Sequence, residues 1–324
     1  MMNKTAFVFP GQGAQYVGMG RDVAERFGPA ARIFAEADGA LGFKLSDIIF
    51  NGDEETLKTT EYTQPALLTV SVALLAAMGY YDGGAQEDES RFPAVAAGLS
   101  IGEYAAHVLA GTFGFADAVG IVRLRGRFMQ EASPPGAGGM AAILGLDAET
   151  VESCCKGVPE RAGDASLVVE PANYNCPGQI VISGHMRALD AACALCLERG
   201  AKRALRLAVS APFHCVLLRG AGERLSEELK KITFRKMRIP VVSNATAQFI
   251  TEAGEAADLL VRQVASPVRW EQSVRNMLAR GITRFVEIGP GATLAGFIRK
   301  IDKEAEVINV SDAESLRIAT ERLR

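Results

Sequence analysis

Residues 94–106, Ala-Val-Ala-Ala-Gly-Leu-Ser-Ile-Gly-Glu-Tyr-Ala-Ala, decide the fold of this chain. The small apolar residues predict a buried strand, Gly98-Leu99-Ser100-Ile101-Gly102 predicts a tight turn, and the alanines predict the start of a helix. Glycines on both sides leave room for a serine with strained backbone angles. Such a turn lifts the hydroxyl clear of the backbone at a helix N-terminus, where N–H groups and the helix dipole favour negative charge. The stretch therefore predicts that Ser100 is a nucleophile.

A second interpretation of the same stretch is a helix cap. Ser100 and Glu103 have the Ser-x-x-Glu spacing of a capping box, in which two side chains bond the first N–H groups of a helix. A cap needs no glycine at both 98 and 102, and Gly102 would weaken the helix that it begins. The nucleophile is therefore the favoured interpretation.

The composition is that of an ordinary globular protein. The chain has 324 residues, of which 48% are hydrophobic and 23% charged, and its net charge is −3. This balance argues against non-specific binding to nucleic acid. Residues 1–9 are too short for a signal peptide. The uncharged run 62–81 contains polar residues and Pro65, which favour a buried helix at 65–78 and not a membrane span. We expect a cytoplasmic protein with no nucleic-acid or membrane partner.

The cysteines predict no disulfide framework and no metal site. Without a secretory context they are expected to be reduced thiols. The Cys-x-x-Cys pair at 193 and 196 falls inside a predicted helix, and no second pair completes a zinc site. We therefore expect small buried side chains and no bound metal. The six positions are Cys154, Cys155, Cys176, Cys193, Cys196 and Cys215.

The N-terminal stretch predicts a strand over Thr5–Phe9, followed by the glycine-containing loop 10–15. The loop resembles a dinucleotide-binding turn, but Tyr16 stands where the third glycine of that motif belongs and Pro10 precedes it. A nucleotide site is therefore rejected. The glycines still let backbone N–H groups approach a ligand closely, as an oxyanion hole requires.

The order of elements predicts an α/β fold with an inserted smaller unit. Helices are predicted at 21–38 and 65–78, and the breaker Ser-Pro-Pro-Gly-Ala-Gly-Gly at 133–139 marks a boundary. The β-α-β-β-α-β order that follows is ferredoxin-like. We expect a hydrolase-like large domain with a parallel sheet, made of 1–137 and 209–324, and an inserted ferredoxin-like subdomain at 138–208. The remaining elements of the prediction are helices at 112–132, 147–156, 187–199, 216–230, 255–264 and 270–280, and strands at 140–144, 166–174, 179–183, 203–209 and 284–288.

The predicted helix 112–132 places one arginine on its apolar face. Arg125 shares a stripe with Ile121, Phe128 and Met129, whereas Arg123 falls on the opposite, polar stripe. A buried guanidinium is costly unless it is paired with an anion. That anion is either a structural carboxylate of the protein or a carboxylate of the substrate, and the pattern alone does not separate the two.

A nucleophilic serine needs a base, and the chain has three histidines. His107 lies two helical turns after Ser100, about 10 Å away along the helix. His185 lies in a turn of the predicted small domain. His214 lies in the loop 210–215, where the chain re-enters the large domain, and it is the favoured base by elimination. A backbone carbonyl can orient its ring as a carboxylate does.

These residues resemble a known family, the malonyl-CoA:acyl-carrier-protein transacylases, and the acyltransferase domains of polyketide synthases are similar. The matching motifs occur in family order and span nearly the whole chain. They are residues 9–13 (Phe-Pro-Gly-Gln-Gly), 98–104 (Gly-Leu-Ser-Ile-Gly-Glu-Tyr), 125–130 (Arg-Gly-Arg-Phe-Met-Gln), 173–179 (Asn-Tyr-Asn-Cys-Pro-Gly-Gln), 212–214 (Pro-Phe-His), 261–263 (Val-Arg-Gln) and 289–291 (Gly-Pro-Gly).

The resemblance implies a role for each matching residue. Ser100 would be acylated, His214 would be its base, and Arg125 would grip the malonyl carboxylate. Leu99 departs from the family, in which many members have histidine before the serine, while Phe213 resembles the malonyl-selecting version. The further implied residues are Gln12 and Ile101, whose N–H groups would form the oxyanion hole, Gln263, whose carbonyl would orient His214, and Gln64, Asn173 and Asn175, which would line the site.

The resemblance also implies the activity and the partners. The chain would transfer malonyl from malonyl-CoA to the phosphopantetheine thiol of an acyl carrier protein, without a cofactor and as a monomer. A serine hydrolase or thioesterase with the same turn, and a catalytically silent carrier-binding subunit, remain alternatives. Carrier proteins in such families are acidic, so exposed cations are candidate docking residues, although for each one a merely solvated surface is the simpler interpretation. They are Arg199, Lys202, Arg203, Arg206, Arg299 and Lys300.

Overall fold

The computed structural model of the chain describes residues 4–83, 92–134, 136–209 and 211–323. The strands within these ranges are β1 (Thr5–Phe9), β2 (Val95–Gly98), β3 (Gly138–Leu144), β4 (Val169–Cys176), β5 (Gln179–His185), β6 (Arg203–Arg206), β7 (Val241–Val242), β8 (Phe249–Ile250), β9 (Arg284–Ile288) and β10 (Glu306–Val310). The helices there are α1 (Arg21–Arg26), α2 (Gly28–Leu41), α3 (Leu45–Asn51), α4 (Glu54–Lys58), α5 (Thr60–Ala77), α6 (Gly102–Ala110), α7 (Phe115–Glu131), α8 (Ala148–Ala162), α9 (Met186–Glu198), α10 (Arg219–Leu229), α11 (Ala253–Val264), α12 (Trp270–Ala279), α13 (Thr293–Ile301) and α14 (Ala313–Leu323).

The large sheet is parallel except at one edge. Its strands run in the order β10-β9-β1-β2-β7-β8, and only β8 is antiparallel to its neighbour. Both faces are covered, as parallel sheets require. Phe7 and Phe9 of β1 face a core built with α5, α6 and α7, whereas Ala6 and Val8 face a second core built with α12 and α13. The predicted α/β fold with a parallel sheet is confirmed.

The small sheet is antiparallel, with strand order β4-β5-β3-β6. Ala141 and Ile143 of β3 pack under α8 and α9, while Met140 and Ala142 face the core of the large sheet. This is the ferredoxin-like arrangement that the order of elements predicts. Its strands begin at Gly138 and end at Arg206, whereas Pro135 of the predicted breaker and Ser210 of the predicted return loop lie outside the described residues. The domain boundaries stay a prediction.

Several helices differ from their predicted bounds. The region 21–38 contains two helices, because Phe27 between them is extended with φ of −124°. The helix predicted over 65–78 already begins at Thr60, with Pro65 inside it. The predicted helix 216–230 opens with a 3-10 turn at Val216–Leu218 before α10. Elements α3, α4, β7, β8, α13, β10 and α14 lie outside the predicted set, and β10 extends the parallel sheet beyond β9.

Two further features bear on the predicted partners. Across the described ranges, no helix combines the length and apolar character that a bilayer crossing needs. The same residues contain no group of three or more histidine, cysteine, aspartate or glutamate side chains arranged to hold a metal ion.

The turn between β2 and α6 depends on two glycines. Ser100 has φ of +55°, in the left-handed region that side chains other than glycine rarely adopt. A Cβ added to Gly98 would lie 2.0 Å from the backbone carbon of Gly102, and one added to Gly102 would lie 2.2 Å from the carbonyl oxygen of Phe9. The helix start is therefore pressed against both the strand before it and the end of β1, which only glycines permit.

Replacing Gly98 with alanine should lower the free energy of unfolding by at least about 2 kcal/mol, because the added Cβ meets rigid backbone that must shift. Urea unfolding measures this change. The matched control is Gly120→Ala in α7, where no atom lies within 4 Å of the added Cβ; there the helix should gain roughly 0.5–1 kcal/mol. A Gly98→Ala protein as stable as the Gly120→Ala protein would show that the close packing is not required.

Candidate active site

The two loops that carry the predicted nucleophile and oxyanion hole leave neighbouring strands at the same edge of the sheet. Phe9 and Gly98 pair at the ends of β1 and β2, and the Leu99 N–H donates to the Phe9 carbonyl at 3.0 Å. The loop after β1 then packs onto the serine turn, since a Cβ on Gly11 would lie 2.7 Å from the Leu99 carbonyl oxygen. The parallel sheet thus brings residues 10–12 and 99–101 together.

Ser100 and His214 form a hydrogen-bonded pair across 114 residues of sequence. The Ser100 Oγ lies 2.7 Å from Nε2 of His214, and the other ring nitrogen, Nδ1, lies 2.9 Å from the carbonyl oxygen of Gln263. Because a carbonyl only accepts, Nδ1 carries the proton and Nε2 is left to accept the serine hydroxyl. This is the geometry of a nucleophile beside its general base. The Gln263 carbonyl thus lies where the resemblance implies it, and its role in orienting the base stays a prediction.

The base is held neutral by its surroundings. His214 is 3% exposed, and burial together with the charge of Arg125 lowers the pKa of its imidazole from 6.5 to about 4. His214 has φ of +59°, so its backbone, like that of Ser100, lies in the left-handed region. Both reacting side chains therefore sit on strained turns that the surrounding packing imposes.

The serine is not a helix cap. Helix α6 has no side-chain hydrogen bond at its N-cap, and the Ser100 hydroxyl is directed at His214 instead. The Glu103 carboxylate bonds the Asn244 N–H at 3.0 Å and the Gln263 side-chain amide at 2.6 Å. The capping-box interpretation is therefore wrong, because tertiary partners take both side chains.

Arg125 points from α7 into the same place, as its position on the apolar stripe predicts. The guanidinium is 1% exposed and donates to Gln64 Oε1 at 2.7 Å, to Gln263 Oε1 at 2.8 Å and to Ser100 Oγ at 3.1 Å. Within the described parts of the chain, no carboxylate oxygen lies within 4.0 Å of its nitrogens. The residues that contact it are neutral, so a direct ion pair with a carboxylate of the protein is absent there.

One residue of this site, Asn244, and the side-chain contacts of another, Gln263, were not found from the sequence. Asn244 accepts the Ser100 N–H at 2.6 Å and donates to the Gly98 carbonyl at 2.7 Å, so it braces both ends of the serine turn. The Gln263 side chain donates to the Ser100 carbonyl at 3.0 Å in addition to its bonds with Arg125 and Glu103. A polar residue just after β7, at the carboxyl end of a parallel strand, is the signal that could have indicated Asn244.

Comparison with known proteins identifies the family. A family model described as the acyl transferase domain matches residues 6–321. This chain belongs to that family. The malonyl CoA-acyl carrier protein transacylase of Bacillus subtilis is 45% identical to it over 323 residues, which cover 100% of this chain and 98% of the relative. The protein of the same name from Escherichia coli K12 is 46% identical over 300 residues, which cover 93% of each chain.

Solved structures agree with this assignment. An acyl carrier protein S-malonyltransferase from Vibrio cholerae superimposes with a TM-score of 0.90 at 42% identity, covering 98% of this chain and 99% of the other. A malonyl-transacylase solved in complex with its type II PKS acyl-carrier protein gives a TM-score of 0.91 at 41% identity, with coverage of 98% and 99%. The hydrolase-like large domain and the small antiparallel sheet are thus those of an acyl transferase.

Two of the remaining expected residues, Gln64 and Phe213, lie at this acyl transferase site. Gln64 contacts Arg125 directly, and Phe213 is buried beside His214. Asn173 and Asn175 are buried on β4, which the backbone of Val268 ties to the large domain through bonds with Ala172 and Tyr174. That these asparagines line the substrate site, and that the N–H groups of Gln12 and Ile101 form the oxyanion hole, stay predictions.

The other two histidines lie outside the acyl transferase site. His107 is fully buried, with Nδ1 3.0 Å from the Thr112 hydroxyl. His185 accepts the Val168 N–H in the small sheet. Neither contacts Ser100, in agreement with the choice of His214.

The reactivity of Ser100 should follow the protonation of His214. Because the pKa of the imidazole is lowered to about 4, the neutral base is present above that pH and is lost as the pH falls through it. The rate of Ser100 sulfonylation by a sulfonyl fluoride should therefore stay level from about pH 8 to about pH 5 and fall about tenfold per pH unit below about pH 4. Circular dichroism at each pH confirms that the protein is folded. A midpoint near the ordinary histidine value of 6.5 would contradict the buried, neutral state.

Proposed function

We propose that this acyl transferase moves a malonyl group from malonyl-CoA to the phosphopantetheine thiol of an acyl carrier protein, through an ester on Ser100. The observation that carries the proposal is a buried guanidinium beside the nucleophile. Arg125 lies 3.1 Å from the Ser100 hydroxyl and contacts no carboxylate directly in the described part of the chain. An acyl group that ends in a carboxylate supplies an anion in direct contact with the guanidinium, at the correct distance from the reacting oxygen.

The first half-reaction follows from the Ser100–His214 pair. Ser100 Oγ attacks the thioester carbonyl carbon while its proton passes to Nε2 of His214. The carbon–sulfur bond then breaks, and His214 returns the proton to the departing CoA thiolate. The Gln263 carbonyl holds the ring in one tautomer throughout and stabilises the imidazolium while it exists.

The oxyanion of each tetrahedral intermediate needs donors that are already in place. We assign this role to the backbone N–H groups of Gln12 and Ile101, from the two loops that leave β1 and β2 side by side. Two such donors in a water-poor site contribute several kcal/mol to the rate. The N-terminus of α6, which begins at Gly102, adds a favourable dipole.

In the second half-reaction the carrier's thiol replaces CoA. His214 takes the thiol proton, the sulfur attacks the malonyl-Ser100 carbonyl carbon, and the proton returns to Ser100 Oγ as the ester breaks. The proposed steps use no cofactor. Water would hydrolyse the ester, so transfer requires that the acyl group be held where no water is placed to attack, and Arg125 on the malonyl carboxylate provides that hold.

The acyl carrier protein is the proposed partner, as the names of the relatives indicate. Its docking surface is proposed among exposed cations that lie near edge strand β6 and at the end of α13. Of these, Arg206 pairs with Asp190, and Lys300 lies 3.5 Å from Gln179 Oε1. A monomeric state and a cytoplasmic location remain part of the proposal.

The experiment that tests the function is mass spectrometry of the intact protein mixed with malonyl-CoA. The expected result is one malonyl group per chain, absent in Ser100→Ala, and discharged when a phosphopantetheinylated carrier protein is added. A hydrolase would instead release malonate and CoA at the same rate with or without the carrier. A silent carrier-binding subunit would take up no malonyl group.

Replacing Arg125 with alanine should remove the preference for malonyl over acetyl. Losing a buried partner of a charged group costs about 2 kcal/mol or more, so kcat/KM for malonyl-CoA should fall by at least roughly 30-fold. The value for acetyl-CoA should change far less. Acyl-enzyme formation with radiolabelled malonyl-CoA and acetyl-CoA measures both.

The matched control is Arg123→Ala on the same helix. Arg123 is half-buried and pairs with Glu61 at 2.9 Å, away from Ser100, so its loss should leave the malonyl preference intact. If Arg125→Ala kept that preference, the guanidinium would not be the carboxylate-binding group.

A further inference from the structure

A buried cation and a buried anion share one side-chain amide in this site. Gln263 Oε1 accepts from Arg125 at 2.8 Å, while Gln263 Nε2 donates to Glu103 Oε2 at 2.6 Å. Arg125 is 1% exposed and Glu103 is 0% exposed. The three residues form one unit, the Arg125–Gln263–Glu103 cluster, in which a neutral amide separates opposite charges.

Each of the two buried charges is stabilised by the presence of the other. An isolated ion in the protein interior is destabilised by several kcal/mol unless an opposite charge is near. The other buried carboxylates of the described chain are elsewhere: Asp38 bonds Ser46, and Glu287 caps the start of α13. Glu103 is therefore the carboxylate that balances Arg125 when no substrate is bound.

The remaining titratable groups around Glu103 are neutral. On its own helix, burial lowers the pKa of His107 to about 3 and raises the pKa of Tyr104 above its ordinary value. From the loop before α10, His214 is neutral, as described above. The loop after β7 and helix α11 present the uncharged Asn244 and Gln263, so Arg125 of α7 is the charged group that Glu103 faces.

One oxygen of Glu103 is placed to carry a proton. Oε2 accepts two hydrogen bonds, but Oε1 has no partner in the described structure and faces Nε2 of His107, which also has none, across 4.0 Å. If Nδ1 of His107 donates to Thr112, Oε1 and Nε2 are two acceptors held apart. A proton on Oε1 would let the two side chains move together and form a hydrogen bond.

We propose that Glu103 is the resident counter-ion of Arg125 and takes up one proton when the acyl carboxylate of the substrate binds Arg125. This inference rests on the proposed function. Without the proton, two carboxylates would share one guanidinium in a dry site, leaving an uncompensated negative charge. With a proton taken from solvent onto Oε1, the cluster and the bound acyl carboxylate together carry no net charge.

Burial places the protonation of Glu103 near neutral pH. It raises the pKa of Glu103 to about 7 against the opposing effects of the Gln263 and Asn244 hydrogen bonds and the charge of Arg125. Since protonated Glu103 favours the carboxylated substrate, the affinity for malonyl-CoA should fall as the pH rises above about 7, by up to about tenfold per pH unit. Acetyl-CoA has no carboxylate to bind and should not show this slope.

The test is calorimetric titration of the Ser100→Ala protein, which binds without turnover, with malonyl-CoA and with acetyl-CoA. Titrations at about pH 7.5 in two buffers of different ionisation enthalpy give the number of protons taken up. The CoA phosphates titrate equally in both ligands, so the difference between the ligands reports the acyl site. Malonyl-CoA should take up a substantial fraction of one proton more than acetyl-CoA.

Glu103→Gln in the same background separates charge from structure. Glutamine keeps an acceptor for Asn244 and Gln263 but cannot ionise, so the extra proton uptake should vanish. At about pH 8.5, well above the pKa of about 7 for Glu103, malonyl-CoA should then bind up to roughly 30-fold more tightly than to the parent protein. A merely structural role for Glu103 would weaken binding instead.

The matched control is Glu287→Gln. Glu287 is also fully buried, and burial also raises its pKa to about 7, but it bonds Leu294 and Ala295 away from the cluster. This variant should keep the extra proton uptake.

Equal proton uptake for the two ligands, or an unchanged pH slope in Glu103→Gln, would overturn the inference. If Glu103→Gln did not fold, the difference between ligands on the parent protein would decide. Failure of the proposed function would be seen separately, as no malonyl ester on Ser100 in the wild-type protein.

Discussion

The structure depends on the close approach of the helix start at Gly102 to the strand ends at Phe9 and Gly98. This approach leaves no space for a Cβ and forces Ser100 to a φ of +55°. The strain is tolerated because the turn is braced from outside, by the Asn244 side chain on the Ser100 N–H and the Gly98 carbonyl. The position of the nucleophile is thus a property of the whole sheet edge and not of the turn alone.

Gln263 contacts the nucleophile, the base and the carboxylate-binding group. Its backbone carbonyl fixes the ring of His214, while its side chain contacts Ser100, Arg125 and Glu103. Buried polar networks of this kind give a single arrangement when every group is satisfied, and they are costly when one member is lost. One residue of α11 therefore sets the geometry of nucleophile, base and carboxylate-binding group at once.

Burial acts on the charges of the site in opposite directions. It keeps His214 neutral, ready to accept a proton, and it makes Glu103 easy to protonate. Arg125 remains the fixed positive charge that lowers the pKa of both groups. A carboxylated acyl group suits this arrangement of charges because it brings a negative charge to the Arg125 guanidinium. Ser100, which will carry the acyl group, is already in contact with that guanidinium.

The sequence by itself determined the elements whose causes are local. Glycines around Ser100 specify the turn, the helical period places Arg125 on the buried face of α7, and the order of strands and helices specifies the ferredoxin-like unit. Only the tertiary structure decided that Ser100 and Glu103 serve no cap, that no carboxylate contacts Arg125 directly, and that Asn244 and the Gln263 side chain complete the site. These partners lie 141 to 163 residues from Ser100 and Glu103 in sequence, so their contacts come from strand order and not from local pattern. A side chain whose partners are so far away in sequence produces no hydrophobic periodicity or motif spacing in its own segment.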